Sequence, residues 1–264
     1  MELACALHFS GTALTASRAA KLVAKAGFTA LEVSPWIPCA LTPSKIKTLK
    51  TSLRKNDLTF SGLTAIYPPD MTLATPSIYR RRRNIAYTKQ LIEVVHDLEG
   101  RTIVWGSGRA RTIPRDVPFK RGYAWLVELL RASGSLADEK QVRVTIEPLN
   151  RFESTIIHNV KEALSLAKLV NRRSVGIVFD TFQASLEEDS FAKPILLAGK
   201  RLAAVHVSDC NRKIPGRGHL DFVAIFDALR KVKYDGYVTL EAILGGNLLA
   251  DLVAARKYLE KVMG

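Results

Sequence analysis

Cysteine is scarce in this chain. Its three residues, Cys5, Cys39 and Cys210, are odd in number and widely spaced, which argues against a disulfide framework and against a thiolate zinc site. Histidine is scarce too, with five in 264 residues, which disfavours a histidine-rich multi-metal cluster. No apolar run is long enough to span a bilayer. The segment from Met1 to Ser10 lacks the basic leader and cleavage site of a signal peptide, so a reducing cytoplasm is the expected compartment. No glycine-rich phosphate fingerprint follows the first apolar run, which removes the main support for an open doubly wound sheet. Acidic residues are in the minority, 25 against 39 basic, for a formal charge of +14. Such a balance raises the question of a polyanionic partner. The densest basic run, Arg80 to Arg83, falls within helix-period spacing, with Ile78, Ile85, Ile92 and Val95 expected to turn inward. It reads as a solvated helix face, because aromatic residues are not interleaved with its charges.

What is present is a hydrophobic fraction of 47% and a length common for one barrel domain. Short apolar β-type runs alternate with helix-period segments from end to end. The expected strands are Leu3 to His8, Thr29 to Val33, Leu58 to Ala65, Thr102 to Trp105, Val142 to Glu147, Val175 to Asp180, Leu202 to Ser208 and Tyr237 to Ala242. Between them, Thr15, Thr42-Pro43, Asn159 with Glu162, and Asp221 mark helix starts. Gly27 and Gly100 mark stops, and Gly134 is expected to weaken the helix from about Phe119 to Leu136. The last helix is expected over Leu248 to Met263. Eight β/α units predict one closed (β/α)8 TIM barrel over residues 1–264.

A barrel of this kind assembles its active site at the C-terminal ends of its strands. The last four strands end on or near Glu147, Asp180, His206 and Glu241. Singly, each has a plain explanation as a helix cap or a satisfied core residue. Together, three carboxylates at one barrel mouth would repel strongly without a cation. Three oxygen ligands and one imidazole suit a divalent ion, Mn2+ or Mg2+ with Co2+ as an alternative, better than a structural zinc. Several other residues carry weaker signals. His8 ends the first strand and reads equally as a substrate contact or as a core or surface residue. Trp36 and Trp105 follow strands and read as packing before sugar stacking. The Gly106-Ser107-Gly108 turn with Arg109 and Arg111 reads as a turn before an anion site. His96 and His158 read as structural or exposed.

Five ordered segments carry a family resemblance: Ile-Glu-Pro-Leu-Asn-Arg-Phe-Glu at 146–153, Phe-Asp-Thr-Phe-Gln at 179–183, His-Val-Ser-Asp-Cys-Asn-Arg at 206–212, Pro-Gly-Arg-Gly-His-Leu-Asp at 215–221 and Tyr-Asp-Gly-Tyr-Val-Thr-Leu-Glu at 234–241. With them the chain resembles the xylose isomerase-like TIM-barrel superfamily, and within it most closely the ketose 3-epimerases. The resemblance implies that Glu147, Asp180, His206 and Glu241 hold the metal and that Glu147 and Glu241 are the acid/base pair. One would remove the proton beside the carbonyl, leaving a cis-enediolate, and the other would return a proton. It also implies that Glu153 and Arg212 bond substrate oxygens. His219, in the loop motif, receives no catalytic role. One departure stands out. Gln183 occupies a substrate-contact position where the epimerases have histidine, and glutamine can still donate a hydrogen bond there but cannot titrate near neutral pH. The implied substrate is a free or phosphorylated sugar, with no membrane partner, nucleic acid disfavoured, and a homo-oligomer left open. Two readings compete with sugar epimerisation or isomerisation. A lyase or dehydratase acting on a keto-sugar or inosose would use the same site, and an endonuclease IV-like abasic-site nuclease would share the fold.

Overall fold

The computed structural model describes residues 1–7, 14–35 and 41–264. His8, Trp36 and Cys39 lie outside the described residues, and with them the substrate role expected for His8. Eight parallel strands close into a barrel: β1 (Glu2–Ala6), β2 (Ala30–Val33), β3 (Thr59–Leu63), β4 (Thr102–Trp105), β5 (Arg143–Ile146), β6 (Val175–Asp180), β7 (Leu202–Val207) and β8 (Tyr237–Leu240), with β8 pairing back onto β1. The helices between and after them are α1 (Ala16–Lys25), α2 (Pro43–Lys55), α3 (Ile78–Asp97), α4 (Gly108–Arg111), α5 (Phe119–Lys140), α6 (Val160–Val170), α7 (Thr181–Glu187), α8 (Ala192–Ala198), α9 (Phe222–Lys231) and α10 (Leu248–Met263). The expected (β/α)8 barrel is therefore the observed one.

The helix starts follow the sequence chemistry. Thr15 accepts from Arg18 N, Thr42 from Lys45 N and Asp221 from Ala224 N, so each supplies an acceptor to a helical N–H that has no partner inside its own helix. Asn159 accepts from Glu162 N at 2.9 Å, and Glu162 reaches back to His158 N at 2.8 Å, which closes a capping box one residue earlier than the usual pattern.

Two expectations need correction. Ile78 is 41% exposed, because it opens the first turn of α3 before that helix meets the barrel; Ile92 and Val95 are the residues that bury. The helix expected to end at about Leu136 runs through Gly134 to Lys140 as α5. There the glycine lets the helix approach the next connection: an added Cβ would meet Arg172, and Ser174 Oγ donates to Gly134 O at 2.9 Å. Finally, the long stretch between β6 and β7 holds α7 and α8, each seven residues, too short to show a hydrophobic period.

Most buried apolar residues form one cluster between the barrel and its helices, including Leu31, Ile103, Ile146, Phe179 and Val205. A smaller separate cluster joins Val104, Val178 and Ala204 from β4, β6 and β7. Val178 and Ala204 lie two residues before Asp180 and His206, hence on the same strand face. The apolar layer thus sits directly below the polar residues at the C-terminal mouth, giving them an apolar floor.

Candidate functional site

Four of these strands deliver the polar cluster. Asp180 ends β6 and pairs in register with His206 of β7, while Glu147 and Glu241 directly follow β5 and β8. All four side chains are buried, and one potential ligand atom from each lies within 4.8 Å of the others. The four strand-end residues picked out in the sequence are thus brought together. Burial first, and the neighbouring Glu241 second, push the Glu147 carboxyl well above its ordinary pKa. Burial also raises Asp180, with Arg212 pulling the other way. For His206 burial works against protonation, but Glu32 and Glu241 outweigh it and hold the imidazole well above its usual value. A buried set of three carboxylates and one imidazole is a donor set that fits a divalent cation, whose charge would relieve the repulsion that raises Glu147.

The imidazole has two distinct faces. Nδ1 lies 3.3 Å from Glu241 Oε2 and 3.7 Å from Glu147 Oε1, so it faces the cluster. Nε2 lies 3.0 Å from Glu32 Oε1, and Glu32 Oε2 accepts from Thr239 Oγ1 at 3.2 Å. Glu32, on β2 and 2% exposed, has the placement of a carboxylate that fixes the tautomer and orientation of a metal-binding histidine. The sequence reading did not single it out. The available signal was its position: a barrel strand is buried on both faces, so an acid inside one needs a polar partner.

Arg212 reaches the same cluster. Its Nη1 donates to Asp180 Oδ2 at 2.7 Å and its Nη2 to Glu241 Oε2 at 2.5 Å, while the guanidinium lies 4.9 Å from the centre of the Phe182 ring. Burial opposes its charge, but Asp180 and Glu241 hold its pKa above the ordinary arginine value. Thr64 Oγ1 also donates to Glu241 Oε1, at 3.5 Å.

Gln183 is buried in a closed amide network. Its Oε1 accepts from Asn150 N at 2.7 Å and from Asn150 Nδ2 at 2.6 Å, and its Nε2 donates to Glu153 Oε1 at 3.2 Å. Asn150 Nδ2 donates to the same Glu153 oxygen at 2.8 Å. Gln183 and Glu153 are therefore joined, and two side-chain amides hold one carboxylate oxygen of the exposed Glu153.

Arg111, noted in the sequence only as part of the turn after β4, is 1% exposed and bonds protein acceptors. Its guanidinium donates to the carbonyls of Glu147 at 2.7 Å, Trp105 at 3.2 Å, Ile157 at 3.4 Å and Ile156 at 3.5 Å, and to Ser154 Oγ at 3.2 Å. It also lies 5.1 Å from the centre of the Trp105 ring. Burial lowers its pKa to about 10, with Glu147 and Glu153 opposing the shift. This latch ties the turn after β4 to the loop carrying Glu147 and Glu153. Gly106 and Gly108 permit the approach, since a Cβ on them would overlap Glu147 Oε2 and Glu153 O.

The remaining candidates have ordinary roles. Trp105 is buried packing, His96 Nδ1 meets Lys140 O and His158 Nδ1 meets Leu149 O. Arg80, Arg82 and Arg83 are exposed. Arg81 instead bonds Thr75 O and Pro76 O, pairs with Glu128 at 3.3 Å and lies over Trp125. No helix among the described residues is long and apolar enough to cross a membrane.

Fold and cluster together define a (β/α)8 barrel with its polar residues where such barrels place their chemistry. A family model described as xylose isomerase-like TIM barrel matches residues 20–262, and the chain belongs to that family. A D-psicose 3-epimerase from Ruminiclostridium cellulolyticum is 30% identical over 240 residues, which span 87% of this chain and 80% of the relative. A 3-dehydro-D-guloside 4-epimerase from Escherichia coli is 30% identical over 170 residues, 61% of this chain and 64% of the relative. Among solved structures, a D-psicose 3-epimerase with D-tagatose from Clostridium cellulolyticum superposes with a TM-score of 0.85 at 25% identity, covering 100% of this chain and 99% of that one.

Proposed function

We propose that this chain is a divalent-metal-dependent ketose epimerase that inverts the carbon beside a substrate carbonyl by proton transfer. The observation that carries the proposal is the meeting of two buried glutamates, Glu147 and Glu241, with Asp180 and His206 in one cluster. The similarity to a D-psicose 3-epimerase over most of both chains supports the same reading. Glu147, Asp180, His206 and Glu241 would hold the metal, Mn2+ by their oxygen-rich donor set with one imidazole, with Mg2+ and Co2+ as alternatives. When bound, the metal would polarise the carbonyl and acidify the adjacent C–H.

The chain's own residues supply the rest. One glutamate accepts the carbon-bound proton and the other delivers a proton to the opposite face. The Arg111 latch fixes the main chain of Glu147, so that side chain enters the reaction from a defined direction. Arg212 faces the negative charge that develops on the substrate oxygens. Glu153, steadied by Gln183 and Asn150, offers a carboxylate oxygen to a substrate hydroxyl. The amide of Gln183 adds no titrating group there.

A second reading rests on the relative named for 4-epimerisation of a keto-glycoside. The same two-carboxylate chemistry would then act one carbon further along. A panel of D-psicose, D-tagatose, L-ribulose, 3-dehydro-glycosides, inososes and their phosphates with Mn2+ separates the readings. Formation of the 3-epimer of a free ketose supports the proposal. A 4-epimer from the keto-glycoside alone moves the assignment to the second reading. Loss of water or of a glycosyl group instead identifies a lyase.

A further inference from the structure

The loop after β7 is wound around one buried carboxylate. Asp209 is 1% exposed, and its side chain accepts three main-chain N–H groups: Cys210 and Leu220 on Oδ1 at 2.9 and 3.2 Å, and Gly216 on Oδ2 at 2.9 Å. A Cβ on Gly218 would overlap Oδ1, so the glycine makes room for the carboxylate. The main chain of Asp209 closes the turn as well, with Arg212 N donating to Asp209 O and Asp209 N donating to Lys213 O. Arg212 therefore sits at the apex of a turn built on Asp209. It does so at φ +60, a conformation that a side chain with a Cβ takes at a cost and that its surroundings must hold. Its carbonyl accepts from Ile243 N at 2.7 Å, which ties the apex to the end of β8. From there the guanidinium bridges Asp180 and Glu241.

We infer that Asp209 is a positioning residue for Arg212: its carboxylate gathers the loop from Cys210 to Leu220 and thereby aims the guanidinium at Asp180 and Glu241. The link from that aim to catalysis rests on the epimerase reading; the aim itself does not. A three-point anchor inside the loop sets both where the apex lies and how little it moves, which is what an electrostatic contact at a reacting group requires.

The test is side-chain NMR of arginine N–H groups in the full chain, comparing wild type, Asp209→Asn and Gly218→Ala. Arg111, far along the sequence and bonded to carbonyls of other loops, serves as the internal control for an intact fold. In both variants the Arg212 signal should take on the mobility and solvent exchange of exposed Arg82, while the Arg111 signal keeps its wild-type protection. Turnover of any ketose the wild type accepts gives the second arm. Asp209→Asn should lower kcat/KM roughly tenfold in the wild-type background and less than about twofold when added to Arg212→Met. An Arg212 signal unchanged in both variants, with only the melting temperature lowered, would overturn the inference. So would a loss that adds in full on Arg212→Met. If no ketose is turned over, the epimerase reading fails, and the arginine signals still decide the role of Asp209.

Discussion

The half of the barrel from β5 to β8 and the half from β1 to β4 serve the site differently. The later half supplies Glu147, Asp180, His206 and Glu241, together with Glu153, Gln183 and Arg212. The earlier half supplies groups that hold those residues in place. Glu32 on β2 stands behind His206, Thr64 after β3 touches Glu241, and Arg111 after β4 grips the carbonyl of Glu147. The contrast separates the cluster proposed to meet a metal or substrate from the earlier-half groups that fix where it points. It also ranks what each substitution should do.

The largest effect belongs to the later half. His206→Ala removes the imidazole from the cluster and should abolish tight Mn2+ binding measured by calorimetry. Unchanged affinity would remove His206 from the ligand set. A smaller effect belongs to the earlier half. Glu32→Gln keeps the shape of the side chain but weakens its hold on His206 Nε2, and Mn2+ affinity should fall about 10–100-fold, the usual scale for such a supporting partner. A loss as complete as that of His206→Ala would make Glu32 more than a support, and no loss would dissolve the contrast between the halves.

These two residues also mark what was legible in the sequence. The four strand-end residues stood out because each closes an apolar run, and the barrel geometry places such ends together. Glu32 sits within Ala30-Leu31-Glu32-Val33, where a single polar residue looks like ordinary strand alternation. Its position calls for a buried polar partner, and the structure shows which two it has. Arg111 was harder still. Its partners are mostly main-chain carbonyls, which leave no mark in residue identity, so the turn around it read only as a turn. Asp180 had a second role that was legible in part: it caps α7 through Gln183 N at 3.0 Å, so the plain cap reading and the cluster reading are both satisfied by one carboxylate. Helices α7 and α8 went unseen because seven residues give two turns and no sustained period.

The smallest effect is a pH dependence. Burial first and Glu241 second raise the Glu147 pKa well above that of the unfolded chain. In the metal-stripped protein this contribution to stability is fully present below the unfolded value and is lost as pH rises through the raised one. The melting temperature in chelator should therefore decline as pH rises above the ordinary carboxylate range. Mn2+ replaces the proton as the partner of the carboxylates, so the stabilisation it gives should grow over the same range. A Mn2+ effect independent of pH would mean that Glu147 does not exchange a proton for the metal, and would sharpen the comparison by moving Glu147 out of the ligand group.

The central claim, that Glu147 and Glu241 move a proton between substrate and solvent, is tested most directly by isotope exchange. The wild-type chain, loaded with Mn2+, is run in D2O with the ketose it turns over, and the product is examined at the inverted carbon. Proton transfer by the two glutamates predicts deuterium there. It further predicts that Glu147→Gln and Glu241→Gln, when shown by metal analysis to retain Mn2+, lose turnover by a factor on the order of 10²–10⁴, because an amide accepts no proton from carbon. Product that keeps its original hydrogen through many turnovers of the wild-type enzyme would contradict proton transfer by these glutamates, and would do so without disturbing the barrel or the cluster at its mouth.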